Sequence, residues 1–190
     1  MSKVVVSEFI TLDGVIEGPG GGEGFDREGW AFKFDRGPEG DKFKFEEVMA
    51  AGALLLGRVT YEGFARAWPA MDGDEFGKKM NGMPKHVVST TLERADWSNS
   101  TIIGGDVAER VAELKRQVEG DILINGSAQL VRALIEHDLI DEYRLMVYPI
   151  VLGAGKRLFG DASEAATLQL MSANKAGDTV ILTYEPARTA

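Results

Sequence analysis

Apolar positions along the chain follow two rhythms. Short β-branched runs bounded by Gly, Pro or Asp predict strands at residues 3–10, 53–57, 85–89, 100–103, 121–125, 141–151, 167–173 and 179–185. Between them, Val107, Val111, Leu114 and Val118 recur at helical spacing, which predicts a helix over 106–119 with Asp106 as its N-cap. Leu130, Val131, Leu134 and Ile135 give a second helical stripe over 127–137, and residues 41–51 carry a third, shorter one.

Strands that alternate with helices need crossover connections, so the pattern predicts an α/β fold around a mostly parallel sheet covered on both faces. The last two strands are joined only by Asn174-Lys175-Ala176-Gly177-Asp178 and are expected to pair as an antiparallel hairpin. The expected architecture is a mixed eight-stranded sheet in a single domain spanning residues 1–190, with no internal repeat and no dividing linker. The glycine-rich stretch 17–24 follows the first strand directly and reads as a mobile loop.

A hydrophobic fraction of 44% over 190 residues is enough for one filled core. A net charge of -9 argues against a surface built for nucleic acid or anionic lipid, so an anionic ligand needs a local basic pocket. With no Cys, thiolate metal sites and thiol nucleophiles are excluded, and two His are too few for a familiar catalytic zinc site. The start of the chain lacks the pattern of a signal peptide, and no apolar run nears the roughly 18–20 residues that span a bilayer, so cytoplasmic placement is expected. There is no Gly-x-Ser-x-Gly elbow for a serine hydrolase.

Four segments can carry chemistry. Leu54-Leu55-Leu56-Gly57-Arg58-Val59-Thr60-Tyr61-Glu62 reads as a buried strand turning at Gly57 into a helix, whose free N–H groups and positive dipole end suit a phosphate. Arg58 adds a fork of donors for a phosphate monoester, although an ordinary turn with an exposed Arg has the same pattern. Ile122-Leu123-Ile124-Asn125-Gly126-Ser127-Ala128-Gln129 repeats the geometry at a second strand end, where open α/β sheets bind ligands. Two such turns favour a diphosphate ligand, yet neither matches the Rossmann glycine fingerprint or the P-loop. Ser89, Thr90 and Thr91 offer hydroxyls to a ribose or phosphate, or form a solvated turn. Asp13, in Thr11-Leu12-Asp13-Gly14-Val15-Ile16, is placed either to orient a polar heterocycle or to cap its turn.

Taken together, and over essentially the whole chain, these segments resemble the dihydrofolate reductase superfamily, in particular its branch related to the RibD C-terminal reductase domain. The residues that carry the resemblance are 54–62, Asn-Gly-Ser-Ala-Gln-Leu-Val at 125–131, and Asp141-Glu142-Tyr143-Arg144-Leu145 leading to Tyr148-Pro149-Ile150-Val151-Leu152-Gly153-Ala154-Gly155. The resemblance implies a dihydrofolate-reductase-like three-layer fold and NADPH as cofactor. It places Gly57, Arg58, Val59 and Thr60 at the adenine-side phosphates, and Ser89, Thr90 and Thr91 at the ribose 2'-phosphate. Gly126, Ser127, Ala128 and Gln129 then support the pyrophosphate and nicotinamide, with Phe9 and Ile16 lining the nicotinamide slot.

On the same basis Asp13 and Asp41 are candidate catalytic acids, and Asp13, Phe45 and Ile124 line the substrate. Asn125-Gly126-Ser127 departs from the consecutive glycines of dihydrofolate reductases at that turn. The implied reaction is hydride transfer to a small polar substrate of the ribosylamino-pyrimidine type, as in riboflavin biosynthesis. The alternatives are dihydrofolate reduction and a nucleotide-binding module without turnover. A homodimer is expected from the resemblance and from the apolar run between Leu145 and Leu152.

Overall fold

The structure, a computed structural model, describes residues 1–160 and 165–187. Its strands are β1 (Val4–Thr11), β2 (Ala51–Gly57), β3 (Lys85–Val88), β4 (Ser100–Ile103), β5 (Asp121–Ile124), β6 (Glu142–Tyr148), β7 (Leu168–Ala176) and β8 (Thr179–Pro186). The helices are α1 (Gly37–Ala50), α2 (Arg58–Ala67), α3 (Glu75–Gly82), α4 (Val107–Gln117) and α5 (Ala128–Glu136), with short 3-10 turns at Trp30–Lys33 and Trp68–Ala70.

All eight strands join one sheet in the order β4-β3-β2-β5-β1-β6-β8-β7. β4 through β6 pair in parallel, whereas β8 runs antiparallel to β6 and β7 antiparallel to β8. Parallel strands are covered on both faces and so read as continuous apolar runs, which is what Val4, Val5 and Val6 and then Leu54, Leu55 and Leu56 present. Alternate residues feed two cores. Val4, Val6, Leu55, Ile122 and Ile124 pack with Val111 and Leu114 of α4 and Val131 and Leu134 of α5. Val5, Leu54, Leu56 and Leu123 pack with Val48 of α1, Tyr61 of α2 and Met80 of α3. The result is the expected three-layer fold.

The differences from the sequence reading are local. α3 was not expected, because its eight residues are half Gly and Lys; its start is set by Asp74, whose side chain accepts from the Gly77 amide at 2.8 Å. β6 stops at Tyr148 rather than residue 151, since Pro149 brings no N–H to a ladder. The C-terminal hairpin turns on two residues, Gly177 and Asp178, rather than five. Gly177 has a φ of +54°, and a Cβ there would lie 2.2 Å from the Asp35 carbonyl oxygen, so both backbone angle and space demand glycine.

The apolar run that suggested a dimer is mostly covered by the chain itself. Leu145, Met146, Tyr148 and Leu152 are buried, while Pro149 is exposed and Val151 stands out at 67%. No helix among the described residues is long and apolar enough to cross a membrane.

Candidate active site

β1 and β5 pair only over Val4–Val6 against Ile122–Ile124, whereas β1 continues beside β6 as far as Thr11 against Tyr148. β5 ends at Ile124, so beyond Val6 this edge of β1 faces the β5–α5 turn across a split, whose near end is bridged by Asn125 Nδ2 donating to the Ser7 carbonyl at 2.8 Å. At this split the β5–α5 turn bends back with Gly126 at φ +60° and Ser127 at φ +61°, the left-handed region that suits Gly and strains Ser. The turn is locked to its neighbour: the Gly57 amide donates to Ser127 Oγ at 2.9 Å, and the Ser127 amide donates to Thr60 Oγ1 at 3.1 Å. A Cβ on Gly126 would fall 2.8 Å from Thr60 Oγ1.

These bonds set the start of α2 beside the start of α5. Both helices present free amides in their first turns, and neither N-cap side chain satisfies them. Two helix N-termini in contact bring free amides and positive dipole ends together, a setting whose chemistry suits a diphosphate. Arg58 opens α2, half-exposed, and pairs with Glu62 one turn later at 3.2 Å, which leaves part of its fork turned outward. Val59 is exposed, Gln129 is exposed and Ala128 is buried on the first turn of α5. Thus Gly57, Arg58, Val59, Thr60, Gly126, Ser127, Ala128 and Gln129 share one surface.

One strand further out, Ser89 Oγ accepts from the amides of Thr91 and Leu92 at 3.1 and 2.9 Å. That closes the turn and leaves Thr90 and Thr91 exposed at the same edge. Ile124 is fully buried at the end of β5 and Ile16 is buried behind the loop, while Phe9 on β1 is half-buried. Arg36 lies 5.6 Å and Lys44 5.3 Å from the centroid of the Phe9 ring, so an acidic protein places two cations beside this wall.

The two predicted acids lie on α1 and in the turn after β1. Asp41 is exposed on the first turns of α1 and pairs with Arg36 Nε at 2.6 Å; Phe45, one turn on, is 38% exposed. Asp13 accepts from the Leu152 amide at 3.1 Å, the Gly153 amide at 2.8 Å and the Thr11 hydroxyl at 2.6 Å. The Thr11 hydroxyl, with those amides, holds its pKa down at about 2. An acid so fully engaged is a clasp between the turn after β1 and the loop after β6. The 17–24 loop is also tied down: Trp30, fully buried against Tyr148, donates to the Glu17 carbonyl, and Glu28 accepts from the amides of Glu23 and Gly24.

The carboxyl at the split itself is Glu8, which sequence reasoning missed. Glu8 Oε2 accepts from the Gly126 amide at 2.9 Å, the residue is 4% exposed, and Oε1 is buried without a hydrogen-bond partner. Burial pushes its pKa well up; the Gly126 amide and Lys44 of α1 pull it down, whereas Glu47 of α1 and Glu23 of the loop push it up. The signal was present in Val-Val-Val-Ser-Glu-Phe-Ile-Thr, a carboxylate inside a strand buried on both faces, where acids are almost never placed unless paired.

A pH dependence follows. With the folded pKa above the ordinary 4.5, the folded chain holds more protons than the unfolded chain, so stability falls as pH rises from about 4.5 until the folded pKa is passed. Glu8→Gln cannot titrate and removes that decline. Urea midpoints of both proteins between pH 4.5 and 8 should diverge, with the variant gaining relative to wild type; parallel curves would refute a raised pKa.

A family model described as the RibD C-terminal domain matches residues 2–182. YyaP of Bacillus subtilis strain 168 is 27% identical over 174 residues, covering 90% of this chain and 87% of its own. A putative riboflavin biosynthesis protein from Shewanella sp. PV-4 superposes with a TM-score of 0.75 at 19% identity, over 99% of this chain and 100% of that one. Dihydrofolate reductase from Enterococcus faecalis, complexed with NADP(H), superposes with a TM-score of 0.57 at 16% identity, over 98% and 97% of the two chains. At these identities the two structures bear on the fold alone.

Proposed function

Because this chain belongs to the RibD C-terminal domain family, we propose that it is an NADPH-dependent reductase of a small polar heterocycle, with the cofactor lying across the starts of α2 and α5. The observation that carries this reading is the pair of helix N-termini locked together through Gly57, Thr60 and Ser127. The donor set fits the group: free amides for the diphosphate, Arg58 with Ser89, Thr90 and Thr91 for a 2'-phosphate, and a split lined by Phe9 and Ile16 for the ring.

Bound NADPH supplies the hydride. The chain's part is placement and shielding. The turn at Gly126 fixes the approach of the cofactor to the split, and the buried Ile124 keeps water from its floor. Phe9 gives the substrate an aromatic wall, with Arg36 and Lys44 over its ring and paired to Asp41 and Glu47, so the charge beside the wall is balanced. Asp41 and Phe45 border that side from α1, and Asp13 shapes it through the loop it clasps.

NADPH oxidation assayed with a phosphoribosylamino-pyrimidine and with dihydrofolate tests the reading. Turnover on the first supports it, preference for dihydrofolate replaces it with folate reduction, and tight nucleotide binding without turnover on either leaves a binding module. Arg58→Ala is expected to weaken NADPH roughly tenfold or more, the loss of one charge-assisted contact of about 1.5–3 kcal/mol, with NADH nearly unchanged. Equal losses for both cofactors by calorimetry would remove Arg58 from the 2'-phosphate.

The same reading includes a homodimer, supported by β7 at the sheet edge with Leu170 and Met171 about half-exposed at 52% and 51%. Light scattering should give twice the chain mass of 20.6 kDa. A monomer mass at micromolar concentration contradicts it.

A further inference from the structure

We propose that Glu8 is a ligand-contacting residue whose Oε2 holds the Gly126 turn while its Oε1 hydroxyl donates to the carboxamide of the nicotinamide seated in the β1–β5 split. The inference rests on the cofactor reading above. Three observations carry it. Glu8 stands two residues past the last β1–β5 pair, Val6 with Ile124, where β5 has ended and β1 faces the β5–α5 turn. One of its oxygens is already spent on the Gly126 amide at 2.9 Å, so the carboxyl is fixed in orientation. The other is buried and unpartnered in the described structure, and native proteins rarely leave such a group without purpose.

The groups nearest to it set its chemistry. Lys44 and Glu47 of α1, beside Ser7 on the other face of the sheet, and Glu23 in the loop act on it through charge alone, and Lys44 is committed to Ser7 Oγ and to Glu47. No cation among the described residues forms an ion pair with Glu8 and burial pushes its pKa up, and in the protonated form that this favours Oε1 is a hydrogen-bond donor. A carboxamide oxygen is a matching acceptor, and Gln, with an amide N–H in place of the acid O–H, can make both contacts. Leu can make neither.

The test compares NADPH with 2',5'-ADP, which carries the adenine-side phosphates and lacks the nicotinamide. Fluorescence titration of wild type, Glu8→Leu and Glu8→Gln should show NADPH weakened roughly tenfold in Glu8→Leu, the loss of one hydrogen bond, and 2',5'-ADP unchanged. Glu8→Gln should restore NADPH affinity to within about threefold of wild type. Infrared difference spectra of wild type labelled at Glu need no variant: a protonated carboxyl band should be present at neutral pH, shift when NADP⁺ is added and stay in place with 2',5'-ADP.

Equal weakening of both ligands in Glu8→Leu, no weakening of either, or the absence of a carboxylic acid band overturns the contact while leaving the cofactor reading intact. Loss of NADPH affinity in Glu8→Gln equal to that in Glu8→Leu overturns it too. Failure of wild type to bind either ligand overturns the cofactor reading and this contact together.

Discussion

Lys85→Met is expected to lower the unfolding free energy by about 3 kcal/mol or more, because each buried carbonyl stripped of its donor costs about 1–3 kcal/mol. Lys85 is fully buried on β3, and its ammonium donates to the carbonyls of Asn81, Met83 and Ser98 at 2.6, 2.9 and 3.0 Å. It also lies 4.2 Å from the centroid of the Trp97 ring, whose own N–H donates to Asn81. One side chain thus ties the end of α3 to the segment entering β4. Methionine matches the stem and loses every one of these contacts.

Burial pulls the Lys85 pKa down to about 8 from the ordinary 10.5. Between those values the folded chain binds fewer protons than the unfolded one, so wild-type stability should rise with pH across that window and Lys85→Met should not follow it. Urea unfolding at pH 7 and across pH 8–10 measures both effects. A loss under about 1 kcal/mol would mean that water reaches those carbonyls.

Asp13→Asn is expected to cost about 1.5–3 kcal/mol, the worth of one hydrogen bond to a charged group, since an amide keeps one acceptor where the carboxylate uses two. Asp13 Oδ1 accepts from Thr11 and Leu152, and Oδ2 from Gly153, with Arg157 3.9 Å away. Its pKa of about 2 lies below the unfolded value near 4, so this stability is present above about pH 4 and lost as the pH falls toward 2. Thermal melts of both proteins at pH 7 and pH 3 check it: the gap should narrow in acid. An unchanged melting temperature with lost turnover would return Asp13 to the substrate side.

Asp13 also shows where sequence reading ends. The turn that holds it was visible as Leu-Asp-Gly, but its partners lie 139 and 140 residues away, at Leu152 and Gly153. No local pattern carries such a pairing. The fold was legible because parallel strands buried on both faces must be apolar throughout, and because Asp106 caps α4 by the local chemistry that predicts it, accepting from the Glu109 amide at 3.1 Å.

The turns at Gly57 and Gly126 were legible for a similar reason, as small residues at strand ends. Glu8 was not. Its parity on β1 points to the α4 and α5 side of the sheet, and only the end of β5 at Ile124, opposite Val6, turns that buried position into a border of the split.

Hydrogen exchange read by mass spectrometry, with and without saturating NADPH, tests the central claim most directly, since it locates the cofactor on the chain without presuming a substrate. The account predicts slowed exchange in the amides of residues 57–60, 89–91 and 126–129, with α4 beyond its first turn unchanged. Unaltered exchange in all three segments, or protection confined to another face of the sheet, would contradict it.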